Sequence, residues 1–249
     1  MPAPPVVLWD IDGTLVRSNG GRVAVGAFLR ALRLSCGLEH DLPYPTESAG
    51  KTDPQIALEM LAAASIGEPH TARVLDRFGP TYLRELEQQR EALITDLRVL
   101  PGVTAVLEQL DRRGVLQSLL TGNLQPVARL KLACARLDRY LEFDLGAYGS
   151  DHADRACLVP IVRARLRQRF GQATQEREIV VVGDTPRDIA CARAGGARAV
   201  AVATGNFTRE QLAQHQPDVL LDDLSDTEAV LGALLQYSTS RRHTPAPIV

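Results

Sequence analysis

A chain of 249 residues, 45% hydrophobic and 23% charged, is long enough for one large core or a core with a smaller second domain, and its composition is that of a soluble globular protein. A formal net charge of -2 supplies no field for nucleic acid or an anionic membrane surface, and no apolar run reaches transmembrane length. Cys36, Cys134, Cys157 and Cys191 form no C-x-x-C pair and stand beside no histidine cluster, which argues against zinc and against a redox dithiol; Met1 to Pro5 reads as no leader, so a cytoplasmic location is expected.

The first predicted element is a nearly unbroken apolar strand over Val6 to Trp9 that ends in Asp10-Ile11-Asp12-Gly13-Thr14. Alternate side chains of a strand share a face, so Asp10 and Asp12 should converge on one site, where two like charges need a cation or proton between them. A hard divalent ion such as Mg2+, shared with substrate phosphate oxygens, suits such a pair. Val16 to Gly21 then reads as a flexible crossing, followed by helical patterns over Val23 to Leu34, Pro54 to Ala64, and Ala72 to Leu93, the last interrupted at Gly79-Pro80. No strand is evident between Arg17 and Asp96. Before the second helix, Asp53 reads as the N-cap with Pro54 at the first helical position. Only two lysines occur, Lys51 just before this cap and Lys131. The Gly50-Lys51-Thr52 triplet is no phosphate-binding P-loop, since the upstream glycine of that motif is missing.

From Arg98 the pattern alternates strand and helix. A helix over Val103 to Leu110 precedes a strand over Val115 to Leu120 that runs into Thr121-Gly122-Asn123. A helix over Pro126 to Leu137 carries Lys131; a short strand near Phe143 to Tyr148, a polar loop through Arg155 and a helix to Arg169 follow. Ile179 to Val182 is a buried strand leading to Gly183-Asp184 and, four residues on, Asp188 at a helix start, where it could also serve as a cap. A further strand over Ala199 to Ala203, a helix capped by Thr208, a strand at Val219 to Leu221 and a helix over Asp226 to Leu235 complete the pattern; a disordered tail is expected over 238–249.

The Asp10-x-Asp12-Gly13-Thr14 segment, Thr121 at the second strand end and Gly183-Asp184-x-x-x-Asp188 together resemble the haloacid dehalogenase superfamily, in particular its helical-cap phosphatases of the phosphoglycolate phosphatase type, from about Val6 to about Leu224. The resemblance implies an α/β fold: a doubly wound, mainly parallel sheet formed by 1–16 and 97–237, with an all-helical cap inserted over 17–96. It implies Asp10 as nucleophile forming an aspartyl-phosphate and Asp12 as general acid and base, with Thr121 and the Gly122 and Asn123 amides on the phosphate. Mg2+ would be held by Asp10, the Asp12 carbonyl, Asp184 and Asp188. The substrate implied is a small phosphorylated metabolite, handled by a monomer or homodimer.

Two positions depart from the family pattern or leave it open. The third motif usually supplies a lysine; Arg155 stands at that place in the chain, and Lys131 is the alternative, favoured because a compact ammonium fits between carboxylates more readily than a planar guanidinium. Lys51 matches a cap loop that reads substrate, or is simply a solvated helix start. The alternatives are a phosphomutase with the same core motifs, a phosphonoacetaldehyde hydrolase with a cap-lysine Schiff base, and a non-catalytic binding protein.

Overall fold

The computed structural model describes residues 4–20, 22–171 and 177–235, and the tail expected beyond 238 lies outside them. In chain order the elements are β1 (Val6–Trp9), β2 (Val16–Ser18), α1 (Val23–Cys36), α2 (Asp53–Ala63), α3 (His70–Glu87), α4 (Arg90–Asp96) and β3 (Leu97–Val99). There follow α5 (Val103–Arg112), β4 (Leu116–Leu119), α6 (Gln125–Cys134), α7 (Leu158–Phe170), β5 (Ile179–Gly183), α8 (Pro186–Ala194), β6 (Arg198–Val202), α9 (Arg209–Gln214), β7 (Val219–Leu221) and α10 (Thr227–Leu235).

Five strands form one parallel sheet in the order β4-β1-β5-β6-β7. The apolar run of β1 is the consequence of its place second from the edge, with helices against both faces. Its side chains alternate: Val7 and Trp9 join the cluster under α5 and α10, while Val6 and Leu8 join the cluster under α7 and α8. β5 divides in the same way, Val180 and Val182 to one side, Ile179 and Val181 to the other. The strand order reverses at β1, since the chain goes to β4 on one side and β5 on the other, and ligand crevices of open α/β sheets form at such a point.

The helices α1 to α4 gather a third apolar cluster of their own, in which Phe28 packs edge-on against Phe78 and Tyr82 with ring centroids 4.7 and 5.4 Å apart. Leu124, Val127 and Leu130, at and in α6, complete it.

Three expectations are corrected. The crossing after β1 is not merely flexible: β2 pairs antiparallel with β3, Val16 opposite Val99 and Ser18 opposite Leu97, and Ser18 Oγ donates to Asp96 Oδ2 at 2.7 Å. Chain leaving and chain returning are thereby held side by side, a long-range pairing that no local pattern reveals. The third helical segment is not broken at Gly79-Pro80. α3 runs through the exposed Pro80 because Val74, Phe78, Tyr82 and Leu86 form one buried stripe at four-residue spacing, and the chain breaks later, at Gln88-Gln89. Phe143 to Tyr148 is not a strand: Phe143–Leu145 is a 3-10 turn, and only Ala147 makes a bridge, to Leu120. Gly146 and the Tyr148 hydroxyl both donate to the Phe143 carbonyl, which curls the segment before a ladder can form.

Candidate active site

The register brings the predicted residues to one edge of the sheet. Trp9 lies opposite both Leu119 and Val182, so the residues that follow, Asp10, Leu120 with Thr121, and Gly183 with Asp184, emerge together at the carboxyl ends of three adjacent strands. β1 stops at Trp9, so the two carboxylates sit in the turn beyond it; Asp10 N donates to Val182 O at 2.9 Å. Asp10, Asp12, Thr121 and Asp184 line one pocket of about 860 Å3, with Lys51, Lys131 and Arg155 also in its walls.

Each of the first two carboxylates has its own cation. Asp12 is half exposed and takes Lys131 Nζ at 2.7 and 2.9 Å, while Asn123 Nδ2 donates to it at 2.8 Å and Asn123 Oδ1 accepts from the same ammonium at 2.7 Å. Asp10 is buried and its Oδ1 lies 3.0 Å from Arg155 Nη2, which also pairs with Asp188. The position between two buried carboxylates, expected to favour Lys131, is thus occupied by the guanidinium of Arg155. A planar fork reaches several acceptors at once: Nη2 serves Asp10, Asp188 and Leu120 O, and Nη1 donates to Gly50 O at 3.2 Å.

These partners drive the two acids apart. Burial raises Asp10, Arg155 opposes it, and the nearby Asp188 and Asp12 raise it again, leaving it at about 6. Burial also acts to raise Asp12, but the Lys131 charge and the hydrogen bonds from Lys131 and Asn123 prevail and hold it below the usual carboxylate range. Two carboxylates with opposite shifts in one pocket mark a candidate functional site.

A third acidic grouping suits a cation. Oxygen atoms of Asp10, Asp184 and Asp188 lie within 4.8 Å of one another, all three residues buried. Burial first, then Asp10 and Asp188, push the Asp184 carboxyl well above its ordinary range. An all-oxygen set carrying more negative charge than its one guanidinium balances fits a hard divalent ion. Asp188 is bound on both sides, Oδ1 to Arg155 and Oδ2 to Thr185 N and Oγ1 at 3.0 and 2.6 Å, closing the capping box of α8. It is therefore cap and charge partner together.

The loop before α2 closes the pocket from the other side. Its cap is Thr52, not Asp53: Thr52 Oγ1 accepts from Gln55 N at 3.1 Å, whereas Asp53 Oδ2 accepts from Leu124 N at 2.9 Å, spanning to α6. The carboxylate was drawn away from its own helix by an amide that only the fold brings near. Asp53 N donates to Gly122 O, and Thr52 Oγ1 to Ala153 O, at 2.8 and 2.6 Å. Lys51 is ion-paired to Glu59 at 2.6 Å. Gly122 is required by this contact, since a Cβ there would meet Lys51 O at 2.2 Å. Gly122→Ala is expected to displace the loop and cost about 1–3 kcal/mol of stability. A thermal melt within 1 °C of wild type would contradict the contact.

Thr121 Oγ1 is fully buried and accepts from Asn123 Nδ2 at 2.9 Å, so its own proton can be donated into the pocket. Asn123 contributes its side chain as a bridge between Asp12 and Lys131, and its backbone amide donates to Thr121 Oγ1 at 3.3 Å. Sequence reasoning missed Thr204-Gly205-Asn206. Gly205 packs so closely on Asp184 that a Cβ would lie 1.7 Å from Oδ2, and Thr204 Oγ1 donates to Gly13 O at 2.6 Å. The available signal was that this triplet repeats Thr121-Gly122-Asn123 at another strand end.

The haloacid dehalogenase-like hydrolase family profile matches residues 4–196. A Dickeya dadantii protein named "Probable phosphatase IndB" is 28% identical over 95% of this chain and 97% of its own. A Pectobacterium atrosepticum phosphoglycolate phosphatase is 27% identical over 95% and 94%. Among solved structures, CbbY from Rhodobacter sphaeroides in complex with phosphate superposes with a TM-score of 0.62 at 19% identity, covering 90% of this chain and 96% of that one, a likeness of fold. With its profile matched over most of its length and its acids gathered at the carboxyl edge of a parallel sheet, this chain belongs to the haloacid dehalogenase-like hydrolase family.

Proposed function

We propose that the protein is a Mg2+-dependent phosphatase that hydrolyses a small phosphomonoester through an aspartyl-phosphate on Asp10. The observation that carries this reading is the pairing of Asp10 with Arg155 and of Asp12 with Lys131 in one pocket that also holds Thr121 and Asp184. An Asp10 oxygen attacks phosphorus as the bond from phosphorus to the ester oxygen breaks, and Asp12 gives its proton to the departing alkoxide. The approach of an anionic phosphate raises the Asp12 pKa, so that an acid held ionised at rest can carry that proton. Asp12 then takes a proton from water, whose oxygen attacks the phosphorus of the aspartyl-phosphate and restores the Asp10 carboxylate with release of inorganic phosphate. Thr121 and the Gly122 and Asn123 amides orient the phosphoryl oxygens, and Lys131 and Arg155 balance charge. Asp10, Asp184 and the Asp12 carbonyl would hold Mg2+, with Asp188 in support; bound there, it neutralises phosphate charge. Residues 17–96 form the cap that excludes water.

The test is release of inorganic phosphate together with an equal amount of alcohol from a panel of phosphomonoesters with Mg2+; transfer between hydroxyls without release would replace this reading by a mutase. Arg155→Lys should keep a charge beside Asp10 but cannot also span Asp188 and Gly50 O, and kcat/KM is expected to fall about 10²-fold. Kinetics within twofold of wild type would refute that role. Arg155→Ala, which leaves two buried carboxylates facing each other, should cost about 3–5 kcal/mol in thermal or urea unfolding.

A further inference from the structure

The pocket is far larger than the phosphoryl chemistry needs. At about 860 Å3 it stands near the top of the range of about 300–1,000 Å3 typical of drug-sized ligands, so a two-carbon phosphate ester would leave most of it unfilled. Away from the sheet edge its wall includes Phe28, Tyr44, Ile56 and Tyr82, contributed by α1, the loop before α2, α2 and α3, beside the polar Arg22, Ser48, Lys51 and Asp53. Phe28 and Tyr82 are almost wholly buried, but Tyr44 is only half-buried and stands edge-on to Phe28 at 5.6 Å, leaving ring surface for a ligand.

The buried charges of this region are already committed. Lys51, the cap lysine in the pocket wall, is held by Glu59 at 2.6 Å, and Gln55 Nε2 fixes the other Glu59 oxygen at 3.2 Å. Lys131 and Arg155 belong to Asp12, Asp10 and Asp188. Asp53 adds another acid, and the remaining lining cations among the described residues, Arg17 and Arg22, are exposed. A substrate carboxylate buried beside Tyr44 would meet Asp53 and a lysine already paired to Glu59, with Arg17 and Arg22 standing exposed, and a buried anion without a partner is costly. A flat, uncharged body meets Tyr44.

We propose that this pocket selects a phosphomonoester whose leaving alcohol carries an uncharged ring packed on Tyr44, in preference to a small carboxylate-bearing ester. The inference rests on the phosphatase reading above and narrows its substrate class away from that named for the phosphoglycolate phosphatase relatives.

Benzyl phosphate and 2-phosphoglycolate share the CH2–O–PO3 unit and differ in phenyl against carboxylate; ethyl phosphate is the small neutral reference. With Mg2+, kcat/KM for benzyl phosphate is expected to exceed that for 2-phosphoglycolate by at least about tenfold. Tyr44→Leu should lower the benzyl-to-ethyl ratio, and Glu59→Gln, by releasing Lys51, should raise the phosphoglycolate-to-ethyl ratio several-fold. Equal or better turnover of 2-phosphoglycolate than of benzyl phosphate by the wild type, or a Tyr44→Leu protein slowed alike on all three esters, overturns the ring proposal while the phosphatase reading survives. Phosphate release from none of the three by folded protein, nor from the wider panel, removes both.

Discussion

Asp10→Asn is expected to lose phosphate release by about 10⁴-fold or more while the protein melts at the wild-type temperature or above it. The two halves of this outcome have one origin. The Asp10 carboxylate is buried against Asp188 and Asp12, with Arg155 as its one cation among the described residues, and its pKa stands at about 6. At pH 7 the ionised form is therefore strained in the metal-free fold, and an amide of the same shape relieves that strain. Arg155 keeps Asp188 and is not left unpaired. An amide, however, is a poor nucleophile toward phosphorus. Residual activity within tenfold of wild type would remove Asp10 from the reaction; a collapse in melting temperature would make its role structural.

Metal removal is expected to have the second-largest effect. Chelation should lower phosphate release about a thousandfold, the several kcal/mol that a cation contributes to a phosphoryl-transfer transition state. Mg2+ at about 100 times its Kd should add about 2.7 kcal/mol to stability, or roughly 5–10 °C in melting temperature. The pH dependence follows from the direction of the shifts. Asp10 and Asp184 are both raised in the fold, Asp10 from 3.8 to about 6. The unfolded chain therefore releases these protons first, and the stability that the metal-free protein has below about pH 4 is lost as pH rises through about 6. Mg2+ requires the ionised carboxylates, so its stabilising effect should be small at pH 5 and full at pH 8. Equal shifts at the two pH values would contradict the carboxylate site.

The parts of the site that were legible are those whose signal is local. A buried strand announces itself by an unbroken apolar run, and carboxylates at its end are anomalous enough to stand out; this located Asp10, Asp12 and Asp184, while Thr121 was given by the family resemblance. The fit of Arg155 was not legible. A guanidinium was expected to crowd the space between carboxylates, yet the separation of Asp10 and Asp188 is set by β1 against β5 and the start of α8, which no residue spacing along the chain encodes. Thr204-Gly205-Asn206 was passed over because its contribution is steric and long-range: Gly205 leaves room for Asp184 to approach.

By itself, the sequence determined the alternation of strands and helices, the helical insertion after the first strand and the residues that carry charge at strand ends, because hydrophobic period and strand termination are properties of neighbouring residues. Tertiary structure decided the rest: that Pro80 lies inside a helix, that Thr52 rather than Asp53 caps α2, that Lys51 belongs to Glu59, and which cation meets which acid. Apart from Lys51 and Glu59, eight residues apart, a partner distant in the chain or a buried stripe shared with another helix outweighs a local preference of a few kcal/mol at most. Such pairings are fixed only when the sheet register and the helix packing are in place.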